Sequence, residues 1–136
     1  MNHQNTKTLK PLSKELERIA EMIVESAYHV HKNLGPGLLE SVYEACLAHE
    51  LTARGLKVQR QVVVPILYDS VRLEEGFRID LLVENLVIIE LKAVDALLPV
   101  HKAQVLTYIK LSGLRLGFLI NFNVTNIGVG TKRLIL

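Results

Sequence analysis

Cysteine, tryptophan and aromatic residues in general are scarce in this chain of 136 residues. It contains one cysteine, Cys46, no tryptophan and 5% aromatic residues. A single cysteine excludes an intramolecular disulfide framework and any zinc site built from several cysteines. The low aromatic content leaves leucine, isoleucine, valine and alanine to form the core, and a hydrophobic fraction of 49% is ample for one.

The sequence also lacks long hydrophobic runs and a strong excess of charge. No apolar stretch approaches the roughly 20 residues that span a bilayer, and residues 1–16 contain no apolar segment typical of a secretion signal. We therefore expect a cytoplasmic protein without membrane contact. Sixteen basic and fourteen acidic residues leave a net charge of +2, which permits a nucleic-acid partner without indicating one.

Hydrophobic periodicity divides the chain into a helical part and a strand-rich part. Residues 1–11 are polar and end in Pro11, which predicts a flexible arm before a single domain over residues 12–136. Apolar residues at steps of three and four predict helices, and β-branched runs between turn residues predict strands. The predicted order is ααβββαββ, with helices at 14–34, 38–54 and 99–112 and strands at 58–69, 71–83, 86–94, 115–122 and 131–136.

The first three strands are predicted to form an antiparallel meander. Pro65 in the first strand has no backbone N–H to donate, which indicates a strand at the sheet edge or one that carries a bulge. The third strand, with the run LVIIEL, is almost continuously apolar. Such a run is typical of a central strand that is covered on both faces.

Three charged residues lie inside these apolar strands and are the clearest indication of chemistry. Asp80 lies in the second strand, and Glu90 and Lys92 lie in the third. Burying such groups is unfavourable unless they are paired. Glu90 and Lys92 are two residues apart and share one face, and the turn between the strands brings Asp80 back beside them. Two carboxylates suit a hard cation such as Mg²⁺, and together with a lysine they suit phosphodiester cleavage.

The turn between these strands decides whether the carboxylates meet. A two-residue turn would pair Asp80 with Ile89 and direct the two carboxylates to opposite faces. A three-residue turn over 84–86, or a bulge, pairs Asp80 with Glu90 instead, and we predict this irregularity. The alternative is a partly exposed salt-bridge patch of the two carboxylates with Lys92, and spacing alone leaves both interpretations open.

Two helices carry further polar pairs whose spacing places them on one face. Glu40 and Tyr43 are three apart in the second helix, and Gln104 and Tyr108 are four apart in the third. A glutamate in a first turn also complements the helix dipole and can cap the backbone, and the second pair could be a plain polar edge. Arg78, two residues before the strand aspartate, would share its face and could hold a phosphate or form a salt bridge with a carboxylate.

The segments that carry these residues resemble a known family. GLLESVY (37–43) matches the signature of the GxxExxY protein family, which is assigned to the PD-(D/E)XK nuclease superfamily. The similarity continues through FRIDLLV, VIIELKAVDALLPVHKAQVLTYIK and GLRLGFLINF and covers roughly residues 15–135. Ile79 stands where the superfamily name has a proline, at a position that varies in the superfamily.

The resemblance implies an α/β fold of the restriction-endonuclease-like type, with a mixed sheet of about five strands flanked by helices. It implies that Glu40 joins Asp80 and Glu90 as a metal ligand and that Lys92 serves catalysis. The backbone carbonyl of Leu91 is expected as a further ligand. The residues expected to contact substrate are Tyr43, Arg78, Gln104 and Tyr108.

The expected function is a Mg²⁺- or Mn²⁺-dependent nuclease that hydrolyses phosphodiester bonds in DNA rather than RNA. The alternative is a nuclease-like fold without turnover that binds nucleic acid or another protein. A homodimer formed through the long first helix and a protein partner for targeting are further options. The basic residues expected to contact phosphates are Lys57, Arg60, Lys102, Lys110 and Arg115.

Overall fold

Helices and strands follow one another in nearly the predicted order in the computed structural model, which describes residues 10–136. The short helix α4 was not predicted, because four residues are too few to show a helical period. The predicted arm lies outside the described residues except for its last two. The elements are α1 (Lys14–Leu34), α2 (Glu40–Ala53), β1 (Val58–Tyr68), β2 (Val71–Val83), β3 (Val87–Lys92), α3 (Pro99–Ser112), β4 (Leu116–Asn121), α4 (Ile127–Gly130) and β5 (Thr131–Ile135).

The strands form one mixed sheet in the order β1-β2-β3-β4-β5. Neighbours are antiparallel except β3 and β4, which run parallel. A parallel pair needs a crossover connection, and α3 provides it. The predicted α/β class, with a mixed five-stranded sheet flanked by helices, is confirmed, and so is the meander of the first three strands.

Pro65 has the position that its chemistry predicts. β1 is an edge strand of the sheet, and the register of its pairing with β2 shifts between Val64 and Ile66, on either side of the proline. Because proline cannot donate a ladder hydrogen bond, an edge position with an irregular register accommodates it at little cost.

Helices cover both faces of the sheet with aliphatic side chains. α3 lies very close to β4, because a Cβ atom on Gly117 would be 2.8 Å from Ile109 Cδ1. Within residues 10–136, none of the helices combines the length and the apolar character that crossing a membrane requires. The buried residues that α1 contributes on the first face are Ile19, Ile23, Ala27 and Val30. The buried residues around α3 on the second face are Ile79, Ile88, Val105, Ile109 and Leu119.

Arg115 joins the two ends of the described chain. Its guanidinium donates to the carbonyl oxygens of Lys10, Pro11 and Leu136 at 2.7, 3.2 and 3.3 Å. These bonds occupy most of the planar fork of donors. The expectation that Arg115 contacts phosphate is therefore corrected: the side chain binds backbone at both ends of the fold.

The turn between β2 and β3 has three residues, as predicted. Val83 pairs with Val87, which leaves residues 84–86 as the turn. Glu84 and Asn85 have left-handed φ angles of 54° and 56°. This length sets the register that carries the second strand's aspartate towards the third strand's glutamate.

Candidate active site

Asp80 and Glu90 meet where β2 and β3 separate. Leu81 is paired with Ile89, and the next step of the same register brings the two acidic residues opposite each other. There the carboxylates take the place of ladder hydrogen bonds. The Asp80 N–H donates to Glu90 Oε2 at 2.9 Å, and the Leu91 N–H donates to Asp80 Oδ2 at 2.9 Å. Each carboxylate is thus fixed by the backbone of the opposite strand.

The negative charge of this pair is only partly balanced. Burial raises the pKa of Glu90 to about 8, and the adjacent Asp80 carboxylate adds to the rise. The pKa of Asp80 is also raised, first by burial and further by the charge of Glu44. Lys92 opposes both shifts, because a nearby positive charge favours the ionised carboxylates. A bound cation would stabilise the ionised form of both carboxyl groups, which this environment otherwise disfavours.

Lys92 lies on the same face of β3 as Glu90, two residues further along the strand. The side chain is half-buried, and its amine forms no ion pair with any residue between 10 and 136. The salt-bridge patch that was the alternative interpretation is therefore absent from this part of the chain.

Glu40 is the first residue of α2 and is exposed. The pKa of Glu90 is raised chiefly by burial and by Asp80, and the charge of Glu40 adds a smaller part. Glu40 is thus within electrostatic range of the carboxylate pair. The residue before it, Leu39, is the N-cap and makes no side-chain capping bond. The position of Glu40 suits the helix dipole and is compatible with a place at the rim of the site.

Tyr43 does not line the site. Its ring is fully buried and stacks on Phe122, with the ring centres 4.6 Å apart. Its hydroxyl donates to the Gly35 carbonyl at 2.6 Å and accepts from the Leu38 N–H at 3.1 Å. The expectation that Tyr43 contacts substrate is therefore corrected, because its polar group holds the loop between α1 and α2.

Tyr108 is within electrostatic range of the carboxylate pair. Its ring stacks on Phe77 with 4.4 Å between ring centres. The pKa of its hydroxyl is raised by burial and then by the charges of Glu90 and Asp80, which places the hydroxyl within their field. Gln104 is one turn earlier on α3 and half-buried, and its side-chain amide makes no hydrogen bond among residues 10–136.

Arg78 is exposed, and its guanidinium forms no ion pair with Asp80 or Glu40 within the described part of the chain. The spacing argument for this residue also fails. Ile79 packs under α3, whereas Leu81 packs under α1 and α2. These residues are two apart and would share a face in a regular strand. The alternation is therefore interrupted at Asp80, and spacing does not place Arg78 on its face.

Two residues that the sequence analysis missed lie next to Asp80. Glu44 on α2 is only 7% exposed and accepts from Arg60 Nε at 3.0 Å and from Gln61 Nε2 at 2.6 Å. The same Gln61 nitrogen lies 3.4 Å from Asp80 Oδ1. Arg60 was expected to contact phosphate and instead pairs with Glu44, which corrects that expectation. Glu44 could have been found from its spacing of four from Glu40, but no sequence signal marks Gln61.

Asn121 is a third residue that the sequence analysis missed. It is 2% exposed at the end of β4, where its side chain donates to the Val94 carbonyl at 2.9 Å and accepts from the Val94 N–H at 3.1 Å. This pair of bonds fixes the segment that follows Lys92. A polar residue at the end of the apolar run LGFLIN was the available signal.

The donors at the site fit a hard divalent cation. Mg²⁺ is usually held by one or two carboxylates and keeps waters or substrate oxygens as its other ligands. Asp80 and Glu90 supply two such carboxylates. Within residues 10–136 no group of three or more histidine, cysteine, aspartate or glutamate side chains is placed so that it could hold a metal ion together. An ion at this site would therefore complete its shell with backbone, water or substrate oxygens.

Comparison with known proteins agrees with this geometry. The family model described as the PD-(D/E)XK nuclease superfamily matches residues 17–134, which is most of the chain. No curated protein and no solved structure gives a significant match. Nucleases of this superfamily generally use divalent metal ions and bind nucleic acid as substrate. The extent of the match shows that this chain belongs to the PD-(D/E)XK nuclease superfamily.

Proposed function

We propose that this protein is a divalent-metal-dependent nuclease that hydrolyses phosphodiester bonds, in DNA in preference to RNA. One observation supports the proposal most strongly. Asp80 and Glu90 are held side by side by each other's strands, and Lys92 shares the face of Glu90 without an ion pair among the described residues. Burying two adjacent carboxyl groups lowers the stability of the fold when no cation is bound. A purely structural role for the pair would not account for that cost.

Each residue of the site has a proposed role. Asp80 and Glu90 would hold Mg²⁺ or Mn²⁺, with the Leu91 carbonyl and Glu40 as further ligands. The bound ion supplies a polarised phosphoryl oxygen and a water of lowered pKa. Lys92 would stabilise the negative charge that develops on the phosphate or orient the attacking water.

The substrate would lie over the α3 side of the sheet. Tyr108 is within electrostatic range of the carboxylates and would donate to a phosphate oxygen, and Gln104 precedes it by one turn on the same helix. Arg78 remains a proposed phosphate contact because it is exposed. The other exposed cations proposed to contact phosphates are Lys57, Lys102 and Lys110.

The direct test is cleavage by protein from which metal has been removed with a chelator. Linear duplex, circular duplex and single-stranded DNA, and RNA of the same sequence, would be incubated with Mg²⁺ or Mn²⁺. We expect DNA to be cleaved faster than RNA, with no cleavage in excess chelator. Asp80→Asn and Lys92→Ala should each lose about 100-fold or more of the rate, since the first weakens a metal ligand and the second removes the positive charge at the reacting phosphate.

Matched substitutions control for contamination and for general effects of charge. Asp69→Asn and Lys32→Ala alter exposed residues on the β1–β2 turn and on α1, and both should keep the wild-type rate. Equal degradation by all variants would indicate a contaminating nuclease and contradict the proposal. Binding of DNA without metal-dependent cleavage would favour the alternative, a nuclease-like fold that acts as a binding module.

A further inference from the structure

Glu44 is a buried acid for which the proposed reaction has no role. Both of its oxygens accept hydrogen bonds, from Arg60 and from Gln61, so neither is directed at the reacting centre. Burying a carboxylate is costly, and Arg60 compensates only part of that cost because it is itself half exposed. Its two hydrogen bonds indicate that Glu44 fixes its partner Gln61.

Gln61 has a backbone conformation that a strand does not need. Its φ is 51°, a left-handed value that is unfavourable for a residue with a side chain. β1 changes face at this residue. Arg60 reaches α2, but Val62, two residues further, packs in the core under α3.

The same interruption occurs opposite, on β2. Arg60 pairs with Leu81, and Val62 pairs with Ile79. Gln61 and Asp80 lie opposite each other between these two pairs. Among residues 58–64 of β1, Gln61 is the only one without a ladder partner. The alternation of side chains between the two faces of the sheet is therefore interrupted in both strands at the same position, Gln61 and Asp80. The result is that the Gln61 amide and the Asp80 carboxylate lie next to each other, 3.4 Å apart.

We propose that Gln61 is a positioning residue for Asp80, anchored by Glu44. The Gln61 Nε2 group has two hydrogens, one for Glu44 Oε1 and one for Asp80 Oδ1. The amide thus separates two carboxylates and fixes the oxygen of Asp80 that the Leu91 N–H does not hold. The inference rests on the proposed function, in which Asp80 must present its carboxylate to the metal, and partners of this kind typically change metal affinity 10–100-fold.

The first test uses hydrogen exchange in metal-free protein. The Leu91 amide donates to Asp80, so it reports whether the carboxylate stays in place. Gln61→Gly removes the side chain and suits the left-handed backbone, and Gln61→Asn keeps a shorter amide that cannot reach both acids. We expect both to speed exchange at Leu91 by about tenfold, with the β4 amides unchanged. Gln59→Gly, on the same exposed edge, should leave Leu91 unchanged.

The second test is calorimetric titration with Mn²⁺. Gln61→Gly should raise the dissociation constant for Mn²⁺ about tenfold, and Gln59→Gly should leave it unchanged. Glu44→Ala should weaken binding in the same direction. Glu44→Gln retains an oxygen for the Gln61 amide and should restore most of the affinity.

The outcomes separate this inference from the proposed function. Unchanged Leu91 exchange and unchanged Mn²⁺ affinity in the Gln61 variants would overturn the positioning role. Equal acceleration of Leu91 and the β4 amides would also overturn it, because that pattern reports loss of the fold. A wild-type protein that neither binds Mn²⁺ nor cleaves DNA would reject the proposed function, while Leu91 exchange would still decide whether Gln61 holds Asp80.

Discussion

Glu90 takes its properties from the side chains and strands around it. It lies in a strand whose other members are almost all apolar, and it accepts the Asp80 N–H. Burial and the neighbouring carboxylate raise the pKa of Glu90 to about 8, which favours its protonated form at neutral pH. The Asp80–Glu90 pair was predicted on condition of a three-residue turn or a bulge, because a two-residue turn would have directed the two carboxylates to opposite faces, and the structure has the three-residue turn. The sequence was not enough to separate Glu40 from Glu44, because burial on a helix depends on how the helix is rotated against the sheet.

The raised pKa of Glu90 makes the metal-free protein sensitive to pH. The value is about 8 in the fold and 4.5 in the unfolded chain, so the folded state holds more protons between these values. Its contribution to stability is present below pH 4.5 and is lost as the pH rises through 8. We expect the melting temperature in chelator to fall by several degrees between pH 5.5 and 8.5.

Glu90→Gln serves as the control for this pH dependence. The amide imitates the protonated acid, so most of the slope should disappear, and a smaller part should remain because the pKa of Asp80 is also raised. Thermal unfolding followed by circular dichroism measures both proteins. An identical slope in wild type and variant would show that Glu90 ionises normally in the fold.

The strands and the loops between them decide which side chains reach the site. β2 has thirteen residues but serves two different cores, since its alternation changes at Asp80. A regular pattern of two would place Arg78 on the face of Asp80, and the interrupted alternation removes the basis of that argument. The interruption coincides with the missing ladder pair between Asp80 and Gln61 on the neighbouring strand, which no local pattern in β2 contains.

Tyr43 provides a test of how the α1–α2 loop is held. Tyr43→Phe removes a hydroxyl that bonds Gly35 and Leu38 and leaves the buried ring in place. We expect a loss of about 1–3 kcal/mol in the free energy of unfolding, measured in urea, with cleavage largely retained. Loss of cleavage at unchanged stability would instead place the tyrosine in the substrate site.

Asn121 provides a test of how the segment after Lys92 is held. Asn121→Ala leaves the N–H and the carbonyl of Val94 without their side-chain partner in a buried region. The free energy of unfolding should fall by about 1–3 kcal/mol. Asn123→Ala is the matched control, because the Asn123 side chain makes no hydrogen bond among residues 10–136. Equal stability of the two variants would contradict the role of Asn121.

In the chain as a whole, the candidate site lies where β2 and β3 separate, in a sheet that helices cover on both faces. Apart from α4, the order of helices and strands followed from apolar periodicity, because each element buries an aliphatic face, whereas the α/β class with a mixed sheet was what the family resemblance implied. The suggested dimer through α1 did not gain support. The apolar stripe of that helix is buried in the chain's own core, so it is not available to a second copy.

The most direct test of the metal-dependent centre is calorimetric titration of wild-type protein with Mn²⁺ at pH 7, in two buffers of different ionisation enthalpy. The account predicts one site and release of about one proton on binding, because Glu90, with a pKa of about 8, must lose its proton to become a ligand. Asp69→Asn should behave as wild type, and Asp80→Asn should bind at least about tenfold more weakly. Absence of binding, or equal binding by Asp80→Asn, would contradict the account.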